Sequence, residues 1–526
     1  MTGRKRGASR AVLPVLFALS CAWVVCYHAL VNVLPYEDAY IGYRYAANLA
    51  AGRGWASNPG EAVQACTSPL HTVLLAGLSR VIPSQPVPSL AVKSNALFYV
   101  LAALATALLV RRLAGSAALG WIAGILFAWN PAALALSSSG KEMFLFVALA
   151  LAAALTAWSD RLLTSGLLAS LAVLARPEGA ITGALLWLIS VRRRPDSGRW
   201  LIAFTLPLGV WGAWTLFRFG TPMPHSLTAK LLPVYPVAPW SAALTLAHRI
   251  GEWTVPAGFP AGSAARDALS VALAAAGAAG LVLRGPVRAR GGLYVAAALM
   301  ALWLFYALAN PLLFDWYLAT IFAFWFAAIL AGIPSLPAPD SRTARIAGAA
   351  AVAILAAGVL IPIGGDFALG RDPMEAARSA IRLRCKTYRE AAVWLNGFAA
   401  PGSVLLAPES GAVGYEWTGR LLDASGLSSP EALRYLPAPP ESRPDPAEGA
   451  VPIAVPVEMV RDLRPDYIVS LQIFIEKTLL PDPWFDRAYR RIRRFPLPKP
   501  VWGTDAVLVM QRVDLPPPPE EPVTPP

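Results

Sequence analysis

Long apolar blocks fill the first two thirds of the chain. Before residue 365, stretches of roughly 14 to 23 apolar residues follow one another, where a membrane span needs about 20. Because backbone polar groups must be satisfied inside lipid, such a series predicts a bundle of helices. The pattern predicts about eleven transmembrane helices, near residues 11–33, 89–110, 117–136, 142–158, 162–175, 179–191, 200–217, 268–284, 291–309, 315–333 and 345–363.

Some of these blocks need a separate interpretation. The first, Ala11–Val33, is too long for a removed signal peptide and lacks the usual cleavage site, so it predicts a retained signal-anchor helix. The apolar segment Thr67–Ile82 breaks the alternation if it is counted as a span. It predicts a juxtamembrane or re-entrant helix within a long first external loop, residues 34–88. The spans near 162–175 and 179–191 are short, so a hairpin that does not fully cross is an alternative there.

Charge is distributed as the membrane interpretation requires. Of 526 residues, 56% are hydrophobic and 15% are charged, where a soluble chain carries about 25% charged residues. The net charge of +13 comes largely from arginine clusters in short connectors between apolar blocks. Positive residues in short loops mark the cytoplasmic side, which predicts an inside N-terminus and an outside C-terminal domain. The basic balance is therefore a topology signal, and no nucleic-acid partner is predicted.

Residues after 365 have a different pattern and carry most of the acidic residues. Tyr388–Phe398 predicts an amphipathic helix, and Ser403–Ala407, Tyr467–Leu471 and Ala506–Val513 predict short strands. This alternation predicts a small soluble α/β domain attached to a polytopic α-helical membrane protein. The predicted divisions are a transmembrane domain at residues 1–365, an extracytoplasmic α/β domain at 366–515, and a disordered proline-rich tail at 516–526.

Four cysteines are present, and two of them lie in the first apolar block. The other two, Cys66 and Cys385, both fall on the oxidising side in this topology. A disulfide between them is one option, and two separate thiols are the other. No pair of cysteines has metal-ligand spacing.

The polar residues of the membrane half concentrate in the predicted external connectors. Acids, cations and histidines lie in the first loop and in the connectors near Lys141, Arg176, His225 and Asp315, whereas the cytoplasmic connectors carry little beyond arginine. A transport path would instead place ionisable residues in the middle of helices, and almost none are found there. Convergence on one face is typical of a reaction site.

Asp38 follows the first helix by a few residues, so we expect it near the membrane surface. A carboxylate there can act as general base toward an acceptor hydroxyl, with the adjacent Glu37 raising its pKa. The alternative is that Glu37 and Asp38 are a helix cap or a solvated acid pair. Tyr36 and Tyr40 suit an interfacial belt or a stacking wall for a sugar.

Several short motifs, in their order along the chain, resemble those of a known family. The motifs that carry the resemblance are Glu37-Asp38-Ala39-Tyr40, Arg44-Tyr45-Ala46, Asn58-Pro59-Gly60-Glu61, Gly140-Lys141-Glu142, Arg176-Pro177-Glu178-Gly179, Pro222-Met223-Pro224-His225-Ser226 with Lys230, and Leu422-Asp423-Ala424-Ser425-Gly426. Together they are similar to bacterial membrane glycosyltransferases of the GT-C class, and most similar to the mycobacterial arabinofuranosyltransferase-like group. The sequence departs from the group in having Glu-Asp where many members have Asp-Asp, and in His71 and His225, where tryptophan and asparagine are common.

The resemblance implies a multi-pass transferase in the bacterial cytoplasmic membrane. Its donor would be a polyprenyl-phosphate-linked sugar and its acceptor a cell-envelope glycan or lipid on the outer face. Asp38 would be the catalytic base of an inverting displacement, with Glu37 beside it. No nucleotide-binding motif is present, which agrees with a lipid-linked donor. No cofactor is predicted, and a divalent metal remains an open alternative.

A lipid phosphate that leaves gains negative charge, so cations must lie near it. Lys230, Arg176, Lys141 and Arg44 are the candidates, against the alternative that they only reach to lipid headgroups. The remaining candidates for substrate contact are His225, His71, Glu142, Glu178 and Tyr40, with pairing to Lys141 and Arg176 as the alternative for the two glutamates.

Two other classes of function remain as alternatives. One is a transporter or flippase of lipid-linked sugars, and the other is a non-catalytic scaffold in envelope assembly. The C-terminal domain is expected to bind the acceptor or a partner without performing chemistry, and aromatics such as Tyr415 and Trp417 could hold a carbohydrate there. Which sugar and acceptor are used does not follow from the sequence.

Overall fold

The computed structural model describes residues 3–30, 34–231, 237–255, 262–283, 289–335, 342–368, 379–444 and 451–519. Sixteen helices fill the N-terminal part of these ranges. They are α1 (Gly3–Leu30), α2 (Ala39–Ala50), α3 (Pro69–Val81), α4 (Val87–Ala114), α5 (Ala117–Trp129), α6 (Pro131–Ser137), α7 (Met143–Ala157), α8 (Leu162–Ala175), α9 (Gly179–Leu186), α10 (Ser197–Phe219), α11 (His225–Leu231), α12 (Ser241–Thr254), α13 (Gly262–Val282), α14 (Ala289–Ala309), α15 (Asp315–Gly332) and α16 (Arg342–Ala368). Among them, α2, α11 and α12 were not predicted.

Six of these helices are long and apolar enough to cross a membrane, within α1, α4, α10, α13, α14 and α15. A seventh candidate is the pair α5 and α6, which bends by 61° where Asn130 and Pro131 interrupt the helix. Four shorter apolar helices complete the set, so each of the eleven predicted segments coincides with an apolar helix. The protein is thus a multi-pass membrane protein, while eleven crossings stay a prediction.

Two helices that differ strongly in burial, α15 and α10, show which positions of the bundle face lipid. In α15, all residues from Leu318 to Gly332 are buried, and the helix packs against α4, α7, α13 and α14. In contrast, α10 is mostly exposed and carries outward-facing apolar residues such as Ile202, Val210 and Phe217. An apolar helix with so little protein contact is typical of a lipid-facing position. The bundle is therefore organised around α15.

The first external loop contains two helices. The predicted interfacial segment forms α3, which has 13 residues, too few to cross the bilayer. The second helix, α2, follows Asp38 and was not predicted from the sequence. Both pack against each other and against α4, so the loop is a folded layer on the end of the bundle.

The C-terminal domain is an α/β unit, as predicted. Its sheet has the order β2-β1-β3-β5-β4, in which β1 runs parallel to β2 and β3, and β5 runs antiparallel to β3 and β4. The three predicted strands are present, and β2 and β4 are additional. The elements are α17 (Ala380–Asn396), β1 (Val404–Ala407), α18 (Ser410–Glu416), β2 (Arg420–Asp423), α19 (Val457–Leu463), β3 (Tyr467–Leu471), α20 (Pro483–Ala488), β4 (Tyr489–Val501) and β5 (Thr504–Arg512).

A two-residue turn joins β4 to β5. Trp502 and Gly503 both have positive φ angles, of 50° and 74°, as a type I′ hairpin turn requires. This turn holds the Trp502 indole at the tip of the hairpin. The centre of the Trp502 ring lies 6.0 Å from that of Phe474, which is buried in the core of the domain.

The disulfide option is wrong, because Cys66 and Cys385 are free thiols. Cys66 is buried in the first external loop, with its Sγ 3.0 Å from the Thr72 hydroxyl. Cys385 is buried in the apolar core that α17 forms with the sheet. Each thiol is thus part of a separate packed cluster, and burial raises the pKa of both.

Candidate active site

Asp38 occupies the N-cap position of α2 but does not cap it. Its backbone is helical, with φ −56° and ψ −24°, and its side chain accepts no hydrogen bond from the helix. The carboxylate is half-buried and makes no hydrogen bond or ion pair in the part of the chain that the structure describes. A capping carboxylate would be bonded to the N2 or N3 amide. Asp38 is therefore free to accept a proton from a bound molecule.

Glu37, its neighbour, has the opposite environment. It is buried, with 7% of its surface exposed, and its Oε1 accepts hydrogen bonds from the amides of Gly411 and Ala412. Burial raises the pKa of Glu37 well above its usual range, and the charges of Glu409 and Asp38 raise it further. Glu37 is thus bound to the C-terminal domain, although it adjoins Asp38 in sequence.

Asp38 lines a cavity with about 700 Å³ of empty space, including its open mouth. We call it the cation-lined cavity, because Lys141, Arg176 and Lys230 all reach it. The connectors before α7 and after α8 supply the first two cations, and the short helix α11 supplies the third. Other lining residues include Cys66, Thr67, Ser68, His71, Glu142, Ser226, Trp316 and Tyr317.

The three cations of this cavity are not equivalent. Arg176 is buried and paired with two carboxylates, at 2.6 Å from Glu142 and 2.7 Å from Glu178. These two acids outweigh the cost of burial and raise the pKa of the guanidinium. The glutamates proposed for substrate contact are therefore already occupied. Arg176 lies against the cavity wall as a neutralised, rigid element.

Lys141 and Lys230 have no carboxylate partner within the described ranges. The Lys141 Nζ lies 4.3 Å from the centre of the Trp316 ring, and the Lys230 Nζ donates to the Tyr317 hydroxyl at 3.2 Å. Burial disfavours the charged form of Lys230, but Tyr317 and Asp38 outweigh it and raise its pKa. Both side chains can therefore bind an anion in the cavity.

His71 reaches the same cavity from α3. The imidazole is 5% exposed, and its Nε2 has no hydrogen-bond partner among the described residues. Burial lowers the pKa of His71 to about 4, so the ring is neutral at physiological pH. A buried, unpartnered ring nitrogen that lines a cavity is suited to one hydrogen bond with a bound ligand.

Five predicted site residues do not line the cation-lined cavity. Two of them, Glu37 and Glu178, are described above, and the other three are Arg44, His225 and Tyr40. Arg44 is buried and donates to backbone carbonyls of both the first loop and the C-terminal domain, so it is not available to a phosphate there. The His225 imidazole is hydrogen-bonded to the Gly426 carbonyl at 3.1 Å. Tyr40 is fully buried against Tyr43 and Tyr415 and faces no cavity described here.

A second cavity lies between the helical bundle and the C-terminal domain. This interdomain cavity has about 1490 Å³ of empty space, including its mouth, and shares Asp38, Ile41, Trp316 and Leu427 with the cation-lined cavity. Aromatic rings line both sides of it. The bundle side contributes Tyr36, Phe314 and Trp316, and the domain side contributes Phe474 and Trp502.

Arg384 and Glu409 form an ion pair in the interdomain cavity. Arg384 donates to both carboxylate oxygens of Glu409, at 3.0 and 3.1 Å from its Nε. The guanidinium also lies 4.9 Å from the centre of the Trp502 ring. Neither Arg384 nor Trp502 was predicted, since nothing in their spacing links them to the first loop. Tyr415 and Trp417, the aromatics expected here, lie elsewhere in the packed interface.

No group of three or more His, Cys, Asp or Glu residues that could hold a metal ion is found in the described ranges.

The structure is similar to known membrane glycosyltransferases. The archaeal oligosaccharyltransferase AglB from Archaeoglobus fulgidus, solved with an inhibitory peptide and a dolichol-phosphate, gives a TM-score of 0.51 at 12% identity, over 91% of this chain and 72% of that one. ArnT from Cupriavidus metallidurans in the apo state gives 0.50 at 14% identity, over 96% and 98%. The mycobacterial arabinofuranosyltransferase AftD, as a mutant, gives 0.44 at 17% identity, over 95% and 41%.

The first two similarities establish the fold. The protein is a multi-pass membrane protein of the GT-C class of folds, as the resemblance implied. Residues 377–510 match a family described as a domain of unknown function, DUF8728, which covers about a quarter of the chain. No curated protein matches the sequence. The activity must therefore be argued from the site.

Proposed function

We propose that the protein is a glycosyltransferase that uses a polyprenyl-phosphate-linked sugar and an envelope glycan or glycolipid acceptor. The observation that carries the proposal is the position of Asp38, an unpaired carboxylate at the wall shared by two chemically different cavities. AglB, which shares the fold, was solved with a dolichol-phosphate. That ligand supports a lipid-linked donor for this chain.

The proposed step is a single displacement with inversion at the anomeric carbon. The Asp38 carboxylate takes the proton of an acceptor hydroxyl while the hydroxyl oxygen forms a bond to the anomeric carbon. The bond from that carbon to the phosphate oxygen breaks, and its electron pair leaves with the polyprenyl phosphate. Because Asp38 faces both cavities, acceptor and donor can approach it from opposite sides.

The cation-lined cavity is the proposed donor site. The leaving phosphate changes from a diester to a monoester and gains negative charge, which the unpaired Lys141 and Lys230 stabilise. Arg176 contributes less, because Glu142 and Glu178 already neutralise it. The free Nε2 of His71 supplies one neutral hydrogen bond to the sugar or to the phosphate.

The interdomain cavity is the proposed acceptor site. Its aromatic faces, Trp316 from the bundle and Trp502 from the domain, can stack against the apolar faces of sugar rings. Its paired Arg384 and Glu409 carry no net charge, which suits a neutral polyhydroxylated molecule better than an anion. This assignment gives the C-terminal domain the acceptor-binding role expected of it.

The proposed orientation places both cavities on the outer face of the bacterial cytoplasmic membrane. Cysteine labelling of intact cells tests it at two exposed positions, Glu441→Cys in the C-terminal domain and Asp196→Cys in an arginine-rich connector. An impermeant reagent is expected to label residue 441 and not residue 196. Labelling of 196 alone would reverse the topology.

The activity is tested with purified protein in lipid nanodiscs and a panel of defined polyprenyl-phosphate sugars with glycan acceptors. The measured quantities are released polyprenyl phosphate and glycosylated product, and Asp38→Asn is the matched control. Wild type is expected to release lipid phosphate in step with product. Movement of the lipid across the bilayer without product would favour the transporter instead.

A further inference from the structure

The short helix α18 of the C-terminal domain contacts the segment that carries Asp38 at both of its ends. The N-terminal amides of α18, from Gly411 and Ala412, donate to the Glu37 carboxylate. At the other end, the Arg44 guanidinium donates to the carbonyls of Gly414 and Trp417. The Glu37 carboxyl group at the amide end and the Arg44 guanidinium at the carbonyl end both match the polarity of the helix backbone.

Glu37 and Arg44 lie on either side of Asp38 in sequence. Glu37 precedes it directly, and Arg44 lies further along α2, the helix that begins after Asp38. Arg44 also donates to the Ser57 carbonyl at 2.6 Å, which ties the remainder of the loop to the same point. Holding these two residues therefore fixes both the turn that contains Asp38 and the helix that follows it.

The contact is also close in a steric sense. A Cβ atom on Gly411 would lie 2.2 Å from the backbone carbonyl oxygen of Glu37, so only glycine allows this approach. Gly411 lines neither cavity and carries no functional group. Its side of the contact can therefore be changed without touching substrate or removing a polar group.

We propose that Glu37 and Arg44 are positioning residues, through which α18 of the C-terminal domain holds Asp38 between the two cavities. The proposal rests on the proposed function, because it assigns the rate of transfer partly to the domain contact. Apolar packing alone could hold the C-terminal domain and the first loop together as firmly, but it is less directional. Directional hydrogen bonds at both ends of a short helix fix one relative position, and a shift of about 1 Å near a reacting group costs about 10²-fold in rate.

The test compares variants on both sides of the contact in the full-length protein. Glu37→Ala removes the acceptor of two hydrogen bonds, whereas Glu37→Gln keeps an oxygen that accepts them. Gly411→Ala pushes against the Glu37 backbone. Gly77→Ala, on α3 of the first loop, is the matched control, because its Cβ would meet nothing within 4 Å.

We expect Glu37→Ala and Gly411→Ala to lower kcat about 10- to 100-fold with the donor KM nearly unchanged. Glu37→Gln and Gly77→Ala should stay within about 3-fold of wild type, and the acid limb of the pH profile of Glu37→Gln should not move. If Glu37→Gln is as inactive as Asp38→Asn, Glu37 is itself catalytic and the proposal is wrong. Unchanged kcat in Glu37→Ala and Gly411→Ala would also overturn it.

Hydrogen exchange gives a readout that does not depend on turnover. Glu37→Ala and Gly411→Ala are expected to accelerate exchange in residues 36–44 and not in the buried strand β3. If no donor is turned over by wild type, the proposed function fails, and this measurement still decides whether α18 holds the Asp38 segment. Equal exchange in wild type and variants would show that it does not.

Discussion

The two cavities that meet at Asp38 are built from different parts of the molecule. Connectors of the helical bundle and α11 supply the cations of the first cavity, and two of its three cations have no carboxylate partner among the described residues. The bundle and the C-terminal domain together build the second, where the Arg384 charge is paired and aromatic rings cover opposite sides. One carboxylate serves as the boundary between them.

Under the proposed function, this difference would allow one site to recognise two unlike substrates. A phosphate is attracted by unpaired ammonium groups in a partly enclosed space, where their charge acts more strongly than in water. A glycan offers hydroxyls and apolar ring faces, for which paired charges and aromatic surfaces are better suited. The bundle would therefore set the donor, and the bundle and domain together would set the acceptor.

The largest expected effect comes from removing the boundary carboxylate. Asp38→Asn keeps the size of the side chain but cannot accept a proton, and loss of a general base costs about 10² to 10⁴ in rate. Turnover should fall by this factor, while binding of undecaprenyl phosphate to the purified protein stays within about 3-fold. Released lipid phosphate and a binding titration measure the two quantities. Asp160→Asn, in an exposed connector, is the control, and near-normal turnover of Asp38→Asn would remove Asp38 from the mechanism.

The next effect separates the donor side from the acceptor side. Lys230→Gln and Lys141→Gln each remove a charged hydrogen bond to phosphate, which is worth about 1.5 to 3 kcal/mol. Each should weaken undecaprenyl phosphate binding about 10- to 100-fold and leave the acceptor KM within about 2-fold. Lys386→Gln is the matched control, since Lys386 is exposed on α17 and pairs with Glu390. Equal loss of donor and acceptor binding would contradict separate sites.

A smaller effect is expected on the acceptor side. Trp502→Asn removes the indole while keeping a residue type that tolerates the positive φ of the hairpin turn. Loss of one aromatic stacking contact, about 0.5 to 1.5 kcal/mol, should raise the acceptor KM about 2- to 10-fold without changing lipid phosphate binding. Trp484→Asn, on α20 outside both cavities, is the control. An effect on the donor alone would exchange the two assignments.

The elements that the sequence predicts are those specified by local pattern. Hydropathy alone locates the spans, because a helix in lipid needs a continuous apolar block wherever its neighbours lie. The strand β4 could not be predicted in this way. It contains several arginines and three prolines, and it is tolerated as an edge strand because it has no second neighbour to bond. Likewise, β2 has four residues and depends on pairing with β1.

The residues of the candidate site also fall into two groups, those whose place follows from the sequence and those whose place does not. Lys141, Arg176, Lys230 and His71 reach one cavity because external connectors of a bundle must converge on one face, which topology predicts. The roles of Glu37 and Arg44 depend on partners about 370 residues away in sequence, which no spacing reveals. The two adjacent acids look equivalent in the sequence. Only their opposite surroundings in the fold distinguish them.

The last expected effect is on stability and not on turnover, and it concerns the charge of the cation-lined cavity. If His71 is neutral, the cavity has no fourth cation, and its folded-state pKa of about 4 lies below the ordinary value of 6.5. A histidine with a depressed pKa contributes stability above pH 6.5 that is lost as the pH falls toward 4, because the unfolded chain then binds the proton more tightly. At pH 5 the loss is about 2 kcal/mol. The thermal unfolding midpoint of wild type in nanodiscs should therefore fall between pH 7 and pH 5 by more than that of His71→Asn, which has no titrating ring. Parallel curves for the two proteins would mean that the pKa of His71 is not lowered in the folded state, and at pH 5 the donor side would then hold a third unpaired cation.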